Sequence, residues 1–270
     1  MLLLGAASPG SPPPDPQAVP ASDLLGRILE KAEAYCHRLE KATLDFVCRE
    51  KIEERQFSPP LRIFAHNVSS TNRRVTSVSL EYDYQLIRRG GPIEENRVLL
   101  KENDQKRNEP DAVLKTKLYK HRYLVFGPIG LLGEYWQPKH AYAYLGEEKV
   151  GGEKAYLIEA APSGPSEAGL VYGKAWVRQK DYAIVKIEWD QRSLGNYDKV
   201  LETAMALGSE AVPEVSIVGH YGIEKNGIRF PDRVIVREDY RSTRGLLRVS
   251  EATVRYVDYR FFVVETEVRY

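Results

Sequence analysis

The run from Glu214 to Tyr240 constrains this chain most, because polar and apolar residues alternate on the way into an Asn-Gly pair and apolar residues recur on the way out. Val215, Ile217, Gly219, Tyr221 and Ile223 hold odd positions, while Glu214, Ser216, His220 and Glu224 hold even ones. A period of two marks a strand with one buried face. Asn226-Gly227 supplies two residues that tolerate positive φ, as a type I′ turn requires, and Ile228, Val234 and Val236 carry the chain back. Glu214 to Glu224 alone spans roughly 37 Å at about 3.4 Å per residue, about twice the usual strand, so the pattern predicts one long, coiled hairpin.

The rest of the chain is written in the same style, with one exception near its start. Ser22 suits an N-cap, and Leu24, Leu25, Ile28, Leu29, Ala32, Tyr35, Cys36 and Leu39 recur at helical spacing opposite Arg27, Glu30, Lys31, Glu33 and Arg38. After Lys41 the period falls to two: Leu44, Phe46, Cys48 and Ile52 alternate with Asp45, Arg49, Lys51 and Glu53. Glu50, Glu53 and Glu54, interleaved with Arg49, Lys51 and Arg55, read as a charged outer strand face. Leu61 to Asn67 reads as a short edge segment, and Val78, Leu80, Tyr82, Tyr84 and Leu86 form the cleanest strand of this half. Arg89-Gly90-Gly91-Pro92 turns it into Glu94 to Glu102, and the charges from Lys101 to Asp111 predict a solvated loop.

Between 113 and 138 the alternation stops. Leu118 to Phe126 predicts a short helix, and Gly127 to Trp136 is apolar and punctuated by glycine. That stretch has two readings, a lid over an apolar cavity or an ordinary packed plug. Hairpins then resume: His140 to Lys149 with Glu153 to Ala161 about Gly151-Gly152, and Leu170 to Arg178 with Tyr182 to Asp190 about Lys180-Asp181, with a linker over 162–169. A helix over 196–207 precedes the long hairpin, and strands Leu246 to Val257 and Phe261 to Val268 close the chain. The fold class is mainly β (α+β): a large coiled antiparallel sheet forming a half-barrel over 22–270, covered by the N-terminal helix and one or two short helices.

Composition narrows the function. Lys plus Arg is 39 against 38 for Asp plus Glu, so no net field favours nucleic acid or an anionic membrane surface. No run reaches the roughly 18 apolar residues of a membrane span. Tyrosine is over-represented, with 17 copies against 7 Phe, and suits half-wet strand faces and pocket walls. Residues 1–21, dense in proline and free of Lys and Arg, are expected to be disordered, with Met1 to Ala7 as the remnant of an export signal. Cys36 and Cys48 lie on the apolar faces of the first helix and first strand, at similar heights from the turn between them. They are expected to form a disulfide worth roughly 3 kcal/mol, which implies an oxidising compartment; the alternative is two buried free thiols.

Catalytic patterns do not assemble. Gly164-Pro165-Ser166-Glu167-Ala168 lacks the last glycine of a nucleophile elbow, Glu134 and Tyr135 stand where a phosphate loop needs Lys and Ser/Thr, and the histidines do not fall at metal-ligand spacing. The Asn67-Val68-Ser69 triplet fits a glycosylation acceptor, a pattern that recurs by chance.

One resemblance is visible. Tyr172-Gly173-Lys174-Ala175-Trp176-Val177 leading to Ile184-Val185-Lys186-Ile187, Tyr221-Gly222-Ile223 with Gly227-Ile228-Arg229-Phe230-Pro231, and Tyr256-Val257-Asp258-Tyr259-Arg260-Phe261 together resemble the outer-membrane lipoprotein-sorting and carrier family. The resemblance covers 170–262. It implies a periplasmic or cell-envelope half-barrel whose concavity, lidded by helices, holds the acyl chain of a lipid or lipoprotein without catalysis and without a cofactor. On that expectation the ligand-binding wall comprises Tyr82, Tyr84, Leu131, Leu132, Trp136, Trp189 and Tyr221. The competing reading is an envelope interaction module that offers a sheet edge or the 127–136 loop to a partner and has no ligand cavity.

Overall fold

The computed structural model of the chain describes residues 21–41, 44–58, 74–88, 93–117, 124–165, 170–193, 197–208, 210–243 and 245–263. Helix α1 covers Ala21–Lys41 and β1 Leu44–Phe57, followed by β2 (Val75–Arg88), β3 (Ile93–Glu102) and β4 (Gln105–Glu109). A short 3₁₀ turn at Leu124–Phe126 runs into α2 (Gly127–Leu132), and then come β5 (His140–Val150), β6 (Glu153–Pro162), β7 (Gly173–Arg178) and β8 (Ile184–Trp189). Helix α3 (Tyr197–Leu207), β9 (Val212–His220), the small pair β10 (Ile223–Lys225) and β11 (Ile228–Phe230), β12 (Arg233–Ser242) and β13 (Gly245–Val263) complete the order. The N-terminal tract 1–20, the 61–67 segment, the 67–69 triplet, the 89–92 turn, the first part of the 118–126 helix and most of the 164–168 motif lie outside the described residues.

Eleven strands form one open antiparallel sheet in the order β4-β3-β2-β1-β13-β12-β9-β8-β7-β6-β5, a half-barrel with α1 and α2 against its concave face. The first and last long strands pair with each other in the middle, Leu44 opposite Val263 and Gln56 opposite Ser250. From there one arm runs out to β4 and the other to β5. Strands β4 and β5 lie at opposite edges, and of the described residues between them 110–117 strap over β1 to β3 while α2 lies over the β8 side.

Four expectations need correction. The run from Glu214 does not make one continuous hairpin: β9 ends at His220, and β10 and β11 fold over as a separate two-stranded tip. The corner is built from Gly222, whose N–H donates to Asp232 Oδ1 at 2.7 Å, and from Pro231, which lacks the N–H needed to continue the ladder. Tyr259 Oη holds it by donating to the Pro231 carbonyl at 2.6 Å, and the tip rests on α1, with the Arg229 N–H donating to Tyr35 Oη at 3.0 Å. Asn226 and Gly227 do take positive φ, 52° and 73°, as the I′ turn demands. Leu246 to Val257 and Phe261 to Val263 are one strand, β13, with a bulge at Asp258 (φ 57°) in place of a break, and 264–268 lie outside the described residues. Part of the 101–111 loop is the edge strand β4, joined to β3 by a tight turn with Asn103 and Asp104 at positive φ.

The fourth concerns the cysteines. Both are buried free thiols, with no disulfide between them. Helix α1 packs chiefly on α2 and also touches β5 and β11, which carries it away from β1. Cys36 Sγ therefore meets the Pro128 carbonyl at 3.4 Å, whereas Cys48 lies beside Tyr259. The support that a disulfide would have lent to an oxidising compartment falls away with it.

Candidate functional site: the two halves of the concave face

The β5–β9 half of the concave face is apolar and is filled by α1 and α2. Ile28, Ala32, Tyr35, Cys36 and Leu39 of α1 meet Leu131 and Leu132 of α2, both 0% exposed, over Ile158, Val177, Ile187, Trp189 and Tyr221. Helix α2 approaches so closely because of its glycines. A Cβ at Gly127 would stand 2.7 Å from Tyr221 Oη and 2.8 Å from the Trp189 ring, and one at Gly130 would stand 2.9 Å from Val171 Cγ2. Six residues cannot hold a helix by themselves, so tertiary contacts hold this one. Tyr221 Oη donates to the Leu124 carbonyl at 2.9 Å, Tyr142 Oη to the Leu131 carbonyl at 2.5 Å, and Gln137 Nε2 to the Leu29 and Leu132 carbonyls at 3.0 Å each. After α2 the His140 ring sits between the Trp136 and Val171 carbonyls, 2.9 Å from each. Burial raises the Tyr142 and Cys36 ionisations and brings Tyr35 to about 12.

The β1–β3 half has a different interior. Glu50 (0% exposed) and Arg97 (4%) face each other across β2 in a bidentate pair, with Nε to Oε2 at 2.6 Å and Nη2 to Oε1 at 3.1 Å. Glu95 stands 3.5 Å from Arg97 Nη1 and accepts from Tyr84 Oη at 2.7 Å, while the guanidinium lies 4.8 Å from the centre of the Tyr84 ring. Burial opposes the Arg97 charge, but Glu50 and then Glu95 outweigh it and hold its ionisation above the ordinary arginine range. Burial, reinforced by Glu95, keeps the Tyr84 phenol neutral far past its usual range. The strap is tied down by inward side chains: Tyr82 Oη accepts from Lys115 N at 3.2 Å and lies 3.4 Å from the Val113 carbonyl, and Glu54 Oε1 accepts from Lys117 N at 3.0 Å. Glu50 and Glu54 thus belong to the buried face, and only Glu53 of the three points outward. An aromatic wall of Phe46, Phe230, Tyr259 and Phe261, with centroids 4.9 to 5.9 Å apart, stands at β1, β13 and the folded tip.

The residues expected to line one ligand wall are divided between these halves. Leu131, Leu132, Trp189 and Tyr221 gather around α2. Tyr82 and Tyr84, several strands away, are engaged with the strap and with Glu95. Trp136 lies half-buried just after α2, edge-on to Tyr135 at 5.1 Å and 5.1 Å from Lys139 Nζ.

The convex face carries a small buried apolar cluster of Ala155, Leu157, Trp176 and Val185 on β6 to β8 and is charged at the neighbouring strands. At its β8–β9–β12 junction a shallow cleft of about 410 Å³ is lined by Glu188, Glu214, Arg237, Asp239 and Arg248 among others. There β8 and β9 splay, and the Gln191 amide takes the place of a strand residue: Nε2 donates to the Pro213 carbonyl at 3.1 Å and Oε1 accepts from Val215 N at 2.7 Å. Burial and the nearby Arg233 lower the His220 ionisation. Among the described residues no group of three or more His, Cys, Asp or Glu side chains is placed to hold a metal ion, and no helix is long and apolar enough to cross a membrane.

No protein-family model matches the chain, and no curated protein matches it in sequence. Solved structures do resemble it. A putative outer membrane lipoprotein-sorting protein domain from Vibrio parahaemolyticus aligns at 12% identity and a TM-score of 0.38, over 89% of this chain and 93% of that one. A DUF1329 family protein from Desulfovibrio piger has the same identity and TM-score over 89% and 95%. A LolA superfamily protein from Nitrosomonas europaea aligns at 13% and 0.36 over 93% and 97%.

Proposed function

We propose that this protein binds an apolar ligand of the acyl-chain class, from a lipid or lipoprotein of the bacterial cell envelope, on the β5–β9 half of its concave face and without chemistry. The observation that carries the reading is α2: a six-residue segment, too short to be stable alone, occupies the apolar concavity with two leucines and sits there through glycine contacts. A chain of methylenes offers the same kind of surface as Leu131 and Leu132, so ligand and α2 compete for one place. Binding then requires α2 to leave, and the affinity is reduced by the fraction of time it stays. The second reading, an interaction module with a permanently filled core, is favoured by the complete burial of those leucines.

Gly127→Ala separates the two. The added methyl collides with Tyr221 Oη and Trp189 and weakens the seat of α2, at a cost of roughly 1–3 kcal/mol to the empty protein. Under displacement, each 1.4 kcal/mol of weakened seating tightens an environment-sensitive fatty-acid probe about tenfold. Hydrogen exchange at 127–132 should rise when the probe binds to the unmodified protein. Absence of saturable probe binding, or a probe affinity that falls in Gly127→Ala, overturns the proposal in favour of a filled core.

A further inference from the structure

On the convex face one row of cross-strand neighbours collects cations. Lys51 pairs with Arg255, Arg255 with Arg233, Arg233 with His220 and His220 with Lys186, so these basic side chains stand side by side across β1, β13, β12, β9 and β8. The irregularities in these pairings, at Val47/Arg49 and Glu238/Asp239, lie outside the row. Directly opposed side chains are about 5 Å apart, and like charges so placed destabilise a sheet. Other cations of this face are neutralised: Arg49 and Lys101 meet Glu81, Arg237 meets Glu251 and Arg248 meets Asp239. Lys186 has Glu188 at 3.9 Å and covers the Trp176 ring at 3.7 Å. Lys51, Arg255 and Arg233 are exposed, and no carboxylate among the described residues comes within ion-pair reach of them. Burial, with Arg233 and Lys186 on its two sides, lowers the His220 ionisation against the pull of Asp232.

The next row of the same face is different. Thr253, Ile235 and Val218, paired in turn, lie beside Arg255, Arg233 and His220, and Glu53 and Glu188 close that row at its two ends. We propose that the two rows seat an acidic amphipathic helix of a partner polypeptide, laid across the strands with its carboxylates over Lys51, Arg255 and Arg233 and its apolar residues on Ile235 and Val218. Four strand-to-strand steps of about 4.8 Å make about 19 Å, the length of about thirteen helical residues. One carboxylate per helical turn recurs about every 5.4 Å, close to the strand spacing, whereas alternate residues of an extended chain recur about every 6.8 Å. A phosphate backbone or a layer of anionic headgroups spreads charge to both sides of its axis and would meet Glu53 and Glu188 as well. A helix with its acids on a single stripe avoids them. The row also follows the coil of the sheet, which a flat bilayer touches only at its crest. This surface faces away from α2, so it is independent of what the concave face binds.

The probe is a fluorescent helix-forming peptide with glutamates at i, i+4, i+7 and i+11 and leucines on the flank beside them. Its anisotropy with the full chain should report saturable binding at low ionic strength that high salt removes, and the same peptide with glutamines should not bind. Arg255→Glu and Arg233→Glu should each weaken the glutamate peptide about tenfold. Arg55→Glu, an equal change of charge further along β1 and off the row, should leave it nearly unchanged. Arg255→Glu should also raise the denaturation midpoint, because it sets a carboxylate between Lys51 and Arg233. A firmer fold with weaker binding is the reverse of what a structural role for Arg255 would give. The proposal is overturned by a glutamine peptide that binds as well, by a loss in Arg55→Glu equal to that in Arg233→Glu, or by no binding at low ionic strength. Tighter binding of phosphatidylglycerol vesicles or of a single-stranded oligonucleotide, lost in the same variants, overturns it too, in favour of that partner.

Discussion

The two halves of the concave face solve one problem in opposite ways. The β5–β9 half is covered by apolar side chains of two helices, and the β1–β3 half by a strap that packs Ala112 and Leu114 on the core but also ties its backbone to buried polar groups. An apolar cover is non-directional, held by area and shape, so it can in principle be exchanged for another apolar body. A polar cover is directional. Every buried charge and amide needs its own partner, and removing one leaves another stranded. Adaptability therefore belongs with α2, and specificity of the fold with Glu50, Arg97, Glu95 and Tyr84.

The largest effect should come from breaking the polar half. Arg97→Met leaves Glu50 and Glu95 buried together without their cation, and a loss of roughly 3–5 kcal/mol is expected from denaturant unfolding. Replacing Glu50 and Arg97 together by methionine should cost less than Arg97→Met alone, since Glu95 keeps its bond from Tyr84. A single-variant loss below about 1 kcal/mol would mean that water reaches the pair and that the strap does not seal this half.

A smaller effect tests the strap itself. Tyr82→Phe keeps the ring in the core and removes the oxygen that accepts from Lys115 N, so about 1 kcal/mol should be lost. Amide exchange should accelerate over 112–117 and remain unchanged over 127–132. Faster exchange in both segments would show that the halves open as one unit and would dissolve the distinction between them.

The difference between the halves was half-legible in the sequence. Glu50 and Glu54 share the parity of Phe46, Cys48 and Ile52, and Glu95 and Arg97 share that of Leu99, so strict alternation already placed them inside. What hid them was charge: beside Arg49, Lys51 and Arg55 the glutamates looked like a solvated face, and the arginine that pairs with Glu50 lies two strands away. The corner at Gly222 and Pro231 could be read from the residues that cannot continue a ladder. The pairing of β1 with β13 could not, because strand order depends on contacts between distant parts of the chain that no local period records. Helix α2 escaped for a related reason. Two glycines and a proline in six residues argue against a helix until Tyr221 and Trp189 are known to lie against it.

The smallest effect is a zero, and it bears on how the halves are joined. Cys36 rides on α1 in the apolar half and Cys48 on β1 near the boundary with the polar one, so a bridge between them would staple α1 to the strand it leaves. In the structure Cys36 Sγ instead meets the Pro128 carbonyl, and burial pushes both thiols far above their ordinary range, which makes them poor nucleophiles in the folded state. A maleimide at neutral pH should therefore label neither thiol in the native protein and both after unfolding without reductant, and a reducing agent should leave the denaturation midpoint unchanged. Unfolded protein without a free thiol would require α1 to lie across β1, away from α2. The seat of α2 against α1 would then be lost, and with it the apolar cover on which the proposed exchange with ligand depends.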